Sequence, residues 1–419
     1  MRKIFSPKII KILQQYKYIR RYKIVKHNHR EALNRIRNKD VVSVAFIMLL
    51  VESWKLDSLY WLFDKDDRYD PIIVISPFIE NHSISKYELM KAVEFCKYKK
   101  YKYFVAYDDL EGESLDIKSK CNLDIIIFTN PNDLSSKYML IDNFKNYLTC
   151  YVPYSFRIDT LYEYEFNNSL VNQTWVNYFE SYIHKNLATK YALNKGDNVI
   201  VSGFPRLDDF RTTRLEDEID GVRYKKTIIW APHWTIKGYQ NTGLDWSCFL
   251  IYHQVMLNIA QEHKDTVQFI MKPHPLLKKT LSQSQLWGTS RTDDYFRKWL
   301  DNCNCQIIDG DYTNAFLFSD ALIHDSGSFM TEYFVLNKPI AYTKNLKTLE
   351  NRFNEFGDLV LSGHYLINDE AELRQFVINV IHDDDALYSK RDRIIRENNL
   401  IPEVPSSEII YNHIKGEVL

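Results

Sequence analysis

Nothing in these 419 residues is apolar for long enough to cross a bilayer as a helix. The most apolar run, Val41 to Val51, has 11 residues and suits a buried strand. The N-terminus shows no long apolar stretch ahead of a small-residue cleavage site, so a secretory leader is not expected. Glycine and proline are scarce, 12 of each, while aromatics reach 14%. That balance excludes a disordered or collagen-like chain. Neither a repeat of about 20–50 residues nor a low-complexity tract stands out. A formal net charge of −1 gives no reason to expect nucleic acid as a partner. Six cysteines, at 96, 121, 150, 248, 303 and 305, form no CxxC pair. Cys303 and Cys305 are too close for an ordinary disulfide, and no second pair completes a zinc site, so reduced thiols are expected. GxxxxGK[ST], HExxH, GxSxG and GxGxxG are all missing, which argues against a P-loop enzyme, a zinc protease, a serine hydrolase and a dehydrogenase. Acidic pairs such as Asp108–Asp109 read as solvated loop, and no metal is expected.

What is present is unevenly arranged. Residues 1–40 hold 13 Lys or Arg against Glu31 and Asp40, with Ile and Tyr interleaved. Such a segment suits the surface of an anionic membrane, or a helix packed on the protein. Short apolar stretches then alternate with helical ones. Val41–Met48, Pro71–Pro77, Tyr103–Ala106, Asp124–Thr129, Leu148–Val152 and Val199–Val201 read as strands. A second series follows: Thr227–Trp230, Gln268–Met271, Cys305–Ile308, Ala321–Ile323 and Pro339–Tyr342. Fully apolar strands between helices indicate parallel sheets covered on both faces. The expected organisation is a basic segment 1–40, a Rossmann-like domain 41–202, a hinge 203–224, a second Rossmann-like domain 225–385 and a helical segment 386–419. The expected fold is α/β, with two doubly wound domains facing a central cleft and ligands at the carboxyl ends of the strands.

Five motifs fall at such strand ends. In Ala321–Ile340, a strand ends at His324–Asp325, and Ser326, Gly327 and Ser328 open a helix carrying Phe329 and Glu332. Small residues there leave amides open to an anion, Ser326 and Ser328 add hydroxyls, and Glu332 suits a ribose. A plain capped helix has the same ingredients. In Met271–Pro275, MKPHP, Lys272 offsets phosphate charge and His274 donates to a diphosphate or leaving group. In Trp230–Thr235, WAPHWT, His233 is a candidate base and Trp230 or Trp234 a stacking platform. In Val201–Asp208, VSGFPRLD, Gly203 and Pro205 make a turn from which Arg206 reaches phosphate, or a hinge. In Cys150–Arg157, CYVPYSFR, Tyr154 and Arg157 are candidates for an acceptor site.

Together these motifs resemble the CDP-glycerol glycerophosphotransferase family of teichoic-acid and capsule polymerases and primases. Its APT-like segment is matched by Ala231-Pro232-His233 and its R/KxHP-like segment by Lys272-Pro273-His274-Pro275. Its DxSS…KP segment is matched by Asp325-Ser326-Gly327-Ser328 with Lys338-Pro339. Its GxPRxD segment resembles VSGFPRLD. The block at Asp325 is also similar to the donor loop of UDP-N-acetylglucosamine 2-epimerases, where a Glu seven residues on, matched by Glu332, holds the ribose. The family's WHG histidine has no match; the comparable place is Cys150–Tyr154. The resemblance implies a GT-B enzyme with His233, His274 and Asp325 in catalysis. Arg206, Trp230, Lys272, His274, Ser326, Gly327, Ser328, Phe329 and Glu332 would hold a nucleotide-diphosphate donor, CDP-linked, without metal or further cofactor. The implied acceptor is a polysaccharide or a lipid-linked molecule at the inner face of a bacterial membrane, which residues 1–40 would contact from the cytoplasm. A nucleotide-sugar transferase, an epimerase or a non-catalytic capsule-assembly protein are the alternatives.

Overall fold

The computed structural model describes residues 7–80, 83–130, 134–212, 226–236, 246–343 and 351–419, with side chains from Tyr22 onward. Most of the expected hinge lies outside them. The chain forms two compact units: Met1–Phe156, Leu161–Asp208 and Pro402–Leu419 make the first, and Arg157–Thr160 with Asp209–Ile401 the second.

The first unit is built on seven parallel strands. They are β1 (Val42–Met48), β2 (Tyr69–Ile75), β3 (Tyr103–Val105), β4 (Ile125–Phe128), β5 (Leu148–Tyr151), β6 (Val176–Phe179) and β7 (Val199–Val201). Their order is β7-β6-β5-β4-β1-β2-β3. All seven residues of β1 are buried, because helices cover both faces of the sheet. β6 is not apparent from the sequence, because Asn177 interrupts its apolar run. The fold satisfies that buried amide by a bond from the Thr174 hydroxyl at 2.7 Å and one to the Val171 carbonyl at 2.8 Å.

The second unit repeats the design with six parallel strands. They are β8 (Lys226–Ala231), β9 (Val267–Met271), β10 (Cys305–Ile307), β11 (Ala321–His324), β12 (Ile340–Thr343) and β13 (Tyr365–Ile367), in the order β10-β9-β8-β11-β12-β13. The half-exposed edge strand β13 is too short to show a period in sequence. In each unit the strand order reverses beside the first strand, between β1 and β4 and between β8 and β11. That is where open α/β sheets hold ligands.

Two boundaries differ from expectation. The segment 386–419 is divided, and Pro402–Leu419 returns to the first unit. VSGFPRLD explains this. The Asp208 carboxylate accepts the amides of Ser406 and Ser407 at 2.9 and 2.7 Å, capping the helix Ser406–Val418. Gly203 has φ +82°, and a Cβ there would lie 2.5 Å from Ser406 Oγ. The returning helix buries Ile410, Ile414 and Val418 in the first unit's core. The second departure is Arg157–Thr160, which belongs to the second unit. Asn354 Nδ2 donates to the carbonyls of Arg157 and Asp159 at 2.9 and 3.2 Å, and Thr160 N to that of Arg352 at 3.0 Å.

The basic N-terminal segment is a helix, Pro7–Arg37. Its later part is fastened to the first unit: Ala32 and Ile36 enter the core, and the Tyr22 hydroxyl and Lys26 ammonium reach Asp197. Residues 22–37 are thus a packed helix, which corrects the view of 1–40 as one membrane-associating piece. Among the described residues no helix is long and apolar enough to cross a membrane.

Candidate functional site

The second unit collects the motifs where its strand order reverses. β8 runs into Pro232-His233, its neighbour β9 into Lys272-Pro273-His274, and β11 into Asp325. Pairing continues past the strand ends: Lys272 N donates to Trp230 O at 2.8 Å and His274 N to Pro232 O at 3.0 Å. That ladder sets the rings of His233 and His274 4.9 Å apart, edge to face.

Each ring is held at Nδ1. The Thr235 amide, 3.3 Å away, and the Thr235 hydroxyl at 2.8 Å converge on His233 Nδ1. The Leu276 amide donates to His274 Nδ1 at 3.1 Å. An amide can only donate, so each neutral ring carries its proton on Nε2. Desolvation, then Lys272, lowers His274 to about 4. Desolvation, then His274 and Arg352, holds His233 well below the usual histidine range. At neutral pH the pair therefore consists of two uncharged N–H donors. His233 does not fit the role of base, because its outward nitrogen is protonated, and His274 offers a hydrogen bond without positive charge.

Asp325 lies across the strand reversal and is 2% exposed. Its Oδ1 accepts the His233 amide at 2.6 Å and its Oδ2 the Cys248 amide at 2.7 Å. It pins both ends of the β8 loop, and desolvation pushes its carboxyl up to about 7 against the bonds donated by Cys248, His233 and Ser247. Asp325 is therefore a positioning residue, and its expected catalytic role is corrected. His324 is fully buried and donates from Nδ1 to the Ser326 carbonyl at 2.9 Å.

The turn itself stays accessible at one end: Ser326 is buried, Gly327 half-buried and Ser328 exposed. A Cβ on Gly327 would lie 2.7 Å from Ile158 Cδ1 and 3.7 Å from Trp246 Cη2, so only glycine fits without rearrangement. The following helix, Ser328–Glu332, has five residues, so local amides rather than a long helix dipole would attract an anion.

Other expected residues stand differently. Trp230 is buried against Phe249, 5.7 Å away and nearly parallel, and against Trp299 at 5.4 Å. As the last inward residue of β8 it is core, so the expected stacking role is corrected. Phe329 packs with Tyr312 and Phe316 at 4.8 and 5.0 Å. Glu332 is 2% exposed and accepts the Tyr312 hydroxyl, so a ribose would meet a carboxylate that already has a partner. Lys272 is buried. Arg206 and Tyr154 belong to the first unit, and Arg157 to the second.

The sequence reading missed Trp246 and Arg352. The Arg352 guanidinium lies 3.4 Å over the Trp246 ring, which is 6.2 Å from that of His233. No local pattern marks either residue, since both arrive by tertiary packing. Among the described residues no group of His, Cys, Asp and Glu could hold a metal ion.

Two parallel sheets of Rossmann order, with these loops at the strand reversal of the second, make this a GT-B protein. The wall teichoic acid polymerase TagF superposes with a TM-score of 0.61 at 15% identity, over 99% of this chain and 99% of that one. UDP-GlcNAc 2-epimerase from Neisseria meningitidis, bound to UDP-GlcNAc, gives 0.57 at 14% identity over 90% and 99%. A putative UDP-N-acetylglucosamine 2-epimerase from Listeria monocytogenes gives 0.55 at 13% over 90% and 96%. No curated protein matches the chain in sequence. The profile of the CDP-Glycerol:Poly(glycerophosphate) glycerophosphotransferase family matches residues 166–416, more than half of the chain. The chain belongs to that family, and it is a transferase of the glycerophosphotransferase type.

Proposed function

We propose that the enzyme moves glycerol phosphate, or a related polyol-phosphate or sugar unit, from a CDP-linked donor to a cell-surface polysaccharide or lipid-linked acceptor. Family membership and the likeness to TagF support a phosphate-bearing unit. The observation that carries the reading is the pair of neutral imidazoles, rings 4.9 Å apart, joined through the His233 amide and Asp325 to the Ser326–Ser328 turn.

In the proposed reaction an acceptor oxygen bonds to the transferred phosphorus as the phosphorus–oxygen bond to CMP breaks. The electron pair leaves with CMP, and the acceptor proton passes to a base other than His233. A loose phosphoryl transition state asks little of a base and much of groups that stabilise oxygen charge. His233 and His274 would donate Nε2–H bonds to the departing phosphate, with the amides and hydroxyls at 326–328 beside them. Because both rings are neutral, the compensating cation in this reading is Arg352, held flat on Trp246.

The test is a transfer assay with CDP-glycerol, CDP-ribitol and UDP-GlcNAc. The reading requires release of CMP with acceptor present, reduced by Ser328→Ala. Conversion of UDP-GlcNAc without acceptor would establish the epimerase alternative instead.

Membrane contact is proposed for residues 1–21, which hold seven Lys or Arg and no acid. Removing them should abolish co-sedimentation with anionic vesicles; undiminished binding would refute the assignment.

A further inference from the structure

The chain leaves the first unit after Phe156, lends residues 157–160 to the second, and returns at Leu161. This short strap runs antiparallel to the segment that carries Arg352, with Asp159 opposite Phe353 in a β-bridge. Thr160 N donates to the Arg352 carbonyl at 3.0 Å, and Asn354 N to the Ile158 carbonyl at 2.8 Å. Backbone bonds therefore hold the strap on both sides of Asp159, whatever its side chain does.

The strap meets the donor turn. Ile158 Cδ1 is the atom that leaves no room for a Cβ on Gly327. Phe353, opposite Asp159, packs on Trp246 at 5.8 Å and on Tyr342 at 6.2 Å. The Tyr342 hydroxyl donates to the Asp325 carbonyl at 3.4 Å, at the start of the turn. Desolvation and then Asp325 hold that hydroxyl well above the usual tyrosine range; Asp159 acts in the same sense and Arg352 against it. The charge of Asp159 is thus felt at a hydroxyl bonded to the turn.

Three acids stand in this neighbourhood, and two are already engaged. Both oxygens of Asp325 accept backbone amides, and Glu332 accepts the Tyr312 hydroxyl. Asp159 Oδ1 is enclosed and has no hydrogen-bond partner among the described residues. An enclosed acceptor without a donor costs stability, so such an oxygen calls for a reason. The residue as a whole is half-buried rather than sealed. Desolvation pushes its carboxyl above the usual aspartate range, and Arg352 opposes that rise. A carboxylate made more basic in this way takes a proton more readily.

We propose that Asp159 is the base of the transfer, its carboxylate taking the proton of the acceptor hydroxyl. The inference rests on the transferase reading and names the base which that reading leaves open. As the acceptor oxygen bonds to phosphorus, the phosphorus–oxygen bond to CMP breaks and CMP leaves with the electron pair. The hydroxyl proton moves to Asp159, and the carboxylic acid then gives it to water.

The experiment compares full-length wild type with Asp159→Asn and Asp159→Ala, with melting temperature as the folding control. Asp159→Ala covers the case in which Asp159→Asn does not fold. CMP release is followed in single turnover with CDP-glycerol, using glycerol phosphate and octyl N-acetylglucosaminide as acceptor probes, and donor affinity by calorimetry. A positioned base contributes about 10²–10⁴-fold, and a loose transition state places the loss near the lower end. The proposal expects transfer slower by about 10²-fold in both variants with donor affinity unchanged. It also expects partial recovery of Asp159→Ala in formate, which supplies a carboxylate where one was removed. Transfer by Asp159→Asn at the wild-type rate overturns the base and leaves the transferase standing. Donor affinity that falls in step with the rate makes Asp159 a support of the strap and overturns the base as well. Absence of CMP release by wild type removes the transferase reading and the base with it.

Discussion

The two units share one topology and reverse strand order at the same place, yet the groups presented there differ in kind. At the reversal of the first unit stand the hydroxyls of Ser76, Thr129 and Ser135 and the side-chain amide of Asn130. At that of the second stand two imidazoles, a buried carboxylate and a guanidinium stacked on Trp246. The scaffold therefore fixes where a ligand goes, and the loops after each strand decide which chemistry it meets.

The contrast can be broken most severely at His274. In the proposed reaction, replacing it with Ala removes a donor to the developing phosphate charge. Loss of one such donor lowers kcat by about 10²–10³-fold elsewhere. The same loss is expected here, read in single-turnover transfer with the melting temperature as control. A residual rate near wild type would leave the imidazole pair without a role.

A smaller effect is expected at Arg352. Hydrogen bonds to charged groups contribute about 1.5–3 kcal/mol, so Arg352→Ala should raise donor KM by about 10–100-fold. Acceptor KM should stay where it was. Equal changes in both constants would mean that Arg352 only supports the fold through Trp246.

The smallest effect is on stability and touches both units. His29 in the first and His274 in the second are each lowered to about 4, His29 by desolvation alone. Between their unfolded value near 6.5 and about 4, the unfolded chain binds protons that the fold refuses. Their contribution is complete above 6.5 and is lost as pH falls through that window. Chemical denaturation at pH 7, 6 and 5 should show falling stability, with a shallower slope in His274→Gln. An unaltered slope would contradict the burial of that ring.

Much of this was legible in sequence because strand ends carry the chemistry. VVSVAFIM and TIIW read as strands since every residue but Ser43 and Thr227 is apolar, and KPHP and HDSGS then fall at carboxyl edges without further assumption. The misreadings share a cause. Trp230 looked like a platform, but it lies within β8, one residue before the strand's end, and faces the core. Asp325 looked catalytic, but its two oxygens are taken by backbone amides 92 and 77 positions earlier. Trp246, Arg352 and Ile158 gave no signal, because their meeting at Gly327 and His233 depends on packing between distant segments. VSGFPRLD read equally as phosphate site or hinge, and only the return of the C-terminal helix to Asp208 shows what Gly203 and Asp208 do.

Calorimetric titration of CDP-glycerol into wild type, His274→Ala and Asn130→Ala tests the central claim most directly. The account predicts binding to wild type and to Asn130→Ala with equal affinity, and binding to His274→Ala at least tenfold weaker. Donor binding that survives His274→Ala unchanged but fails in Asn130→Ala would place the nucleotide in the wrong unit and contradict the account.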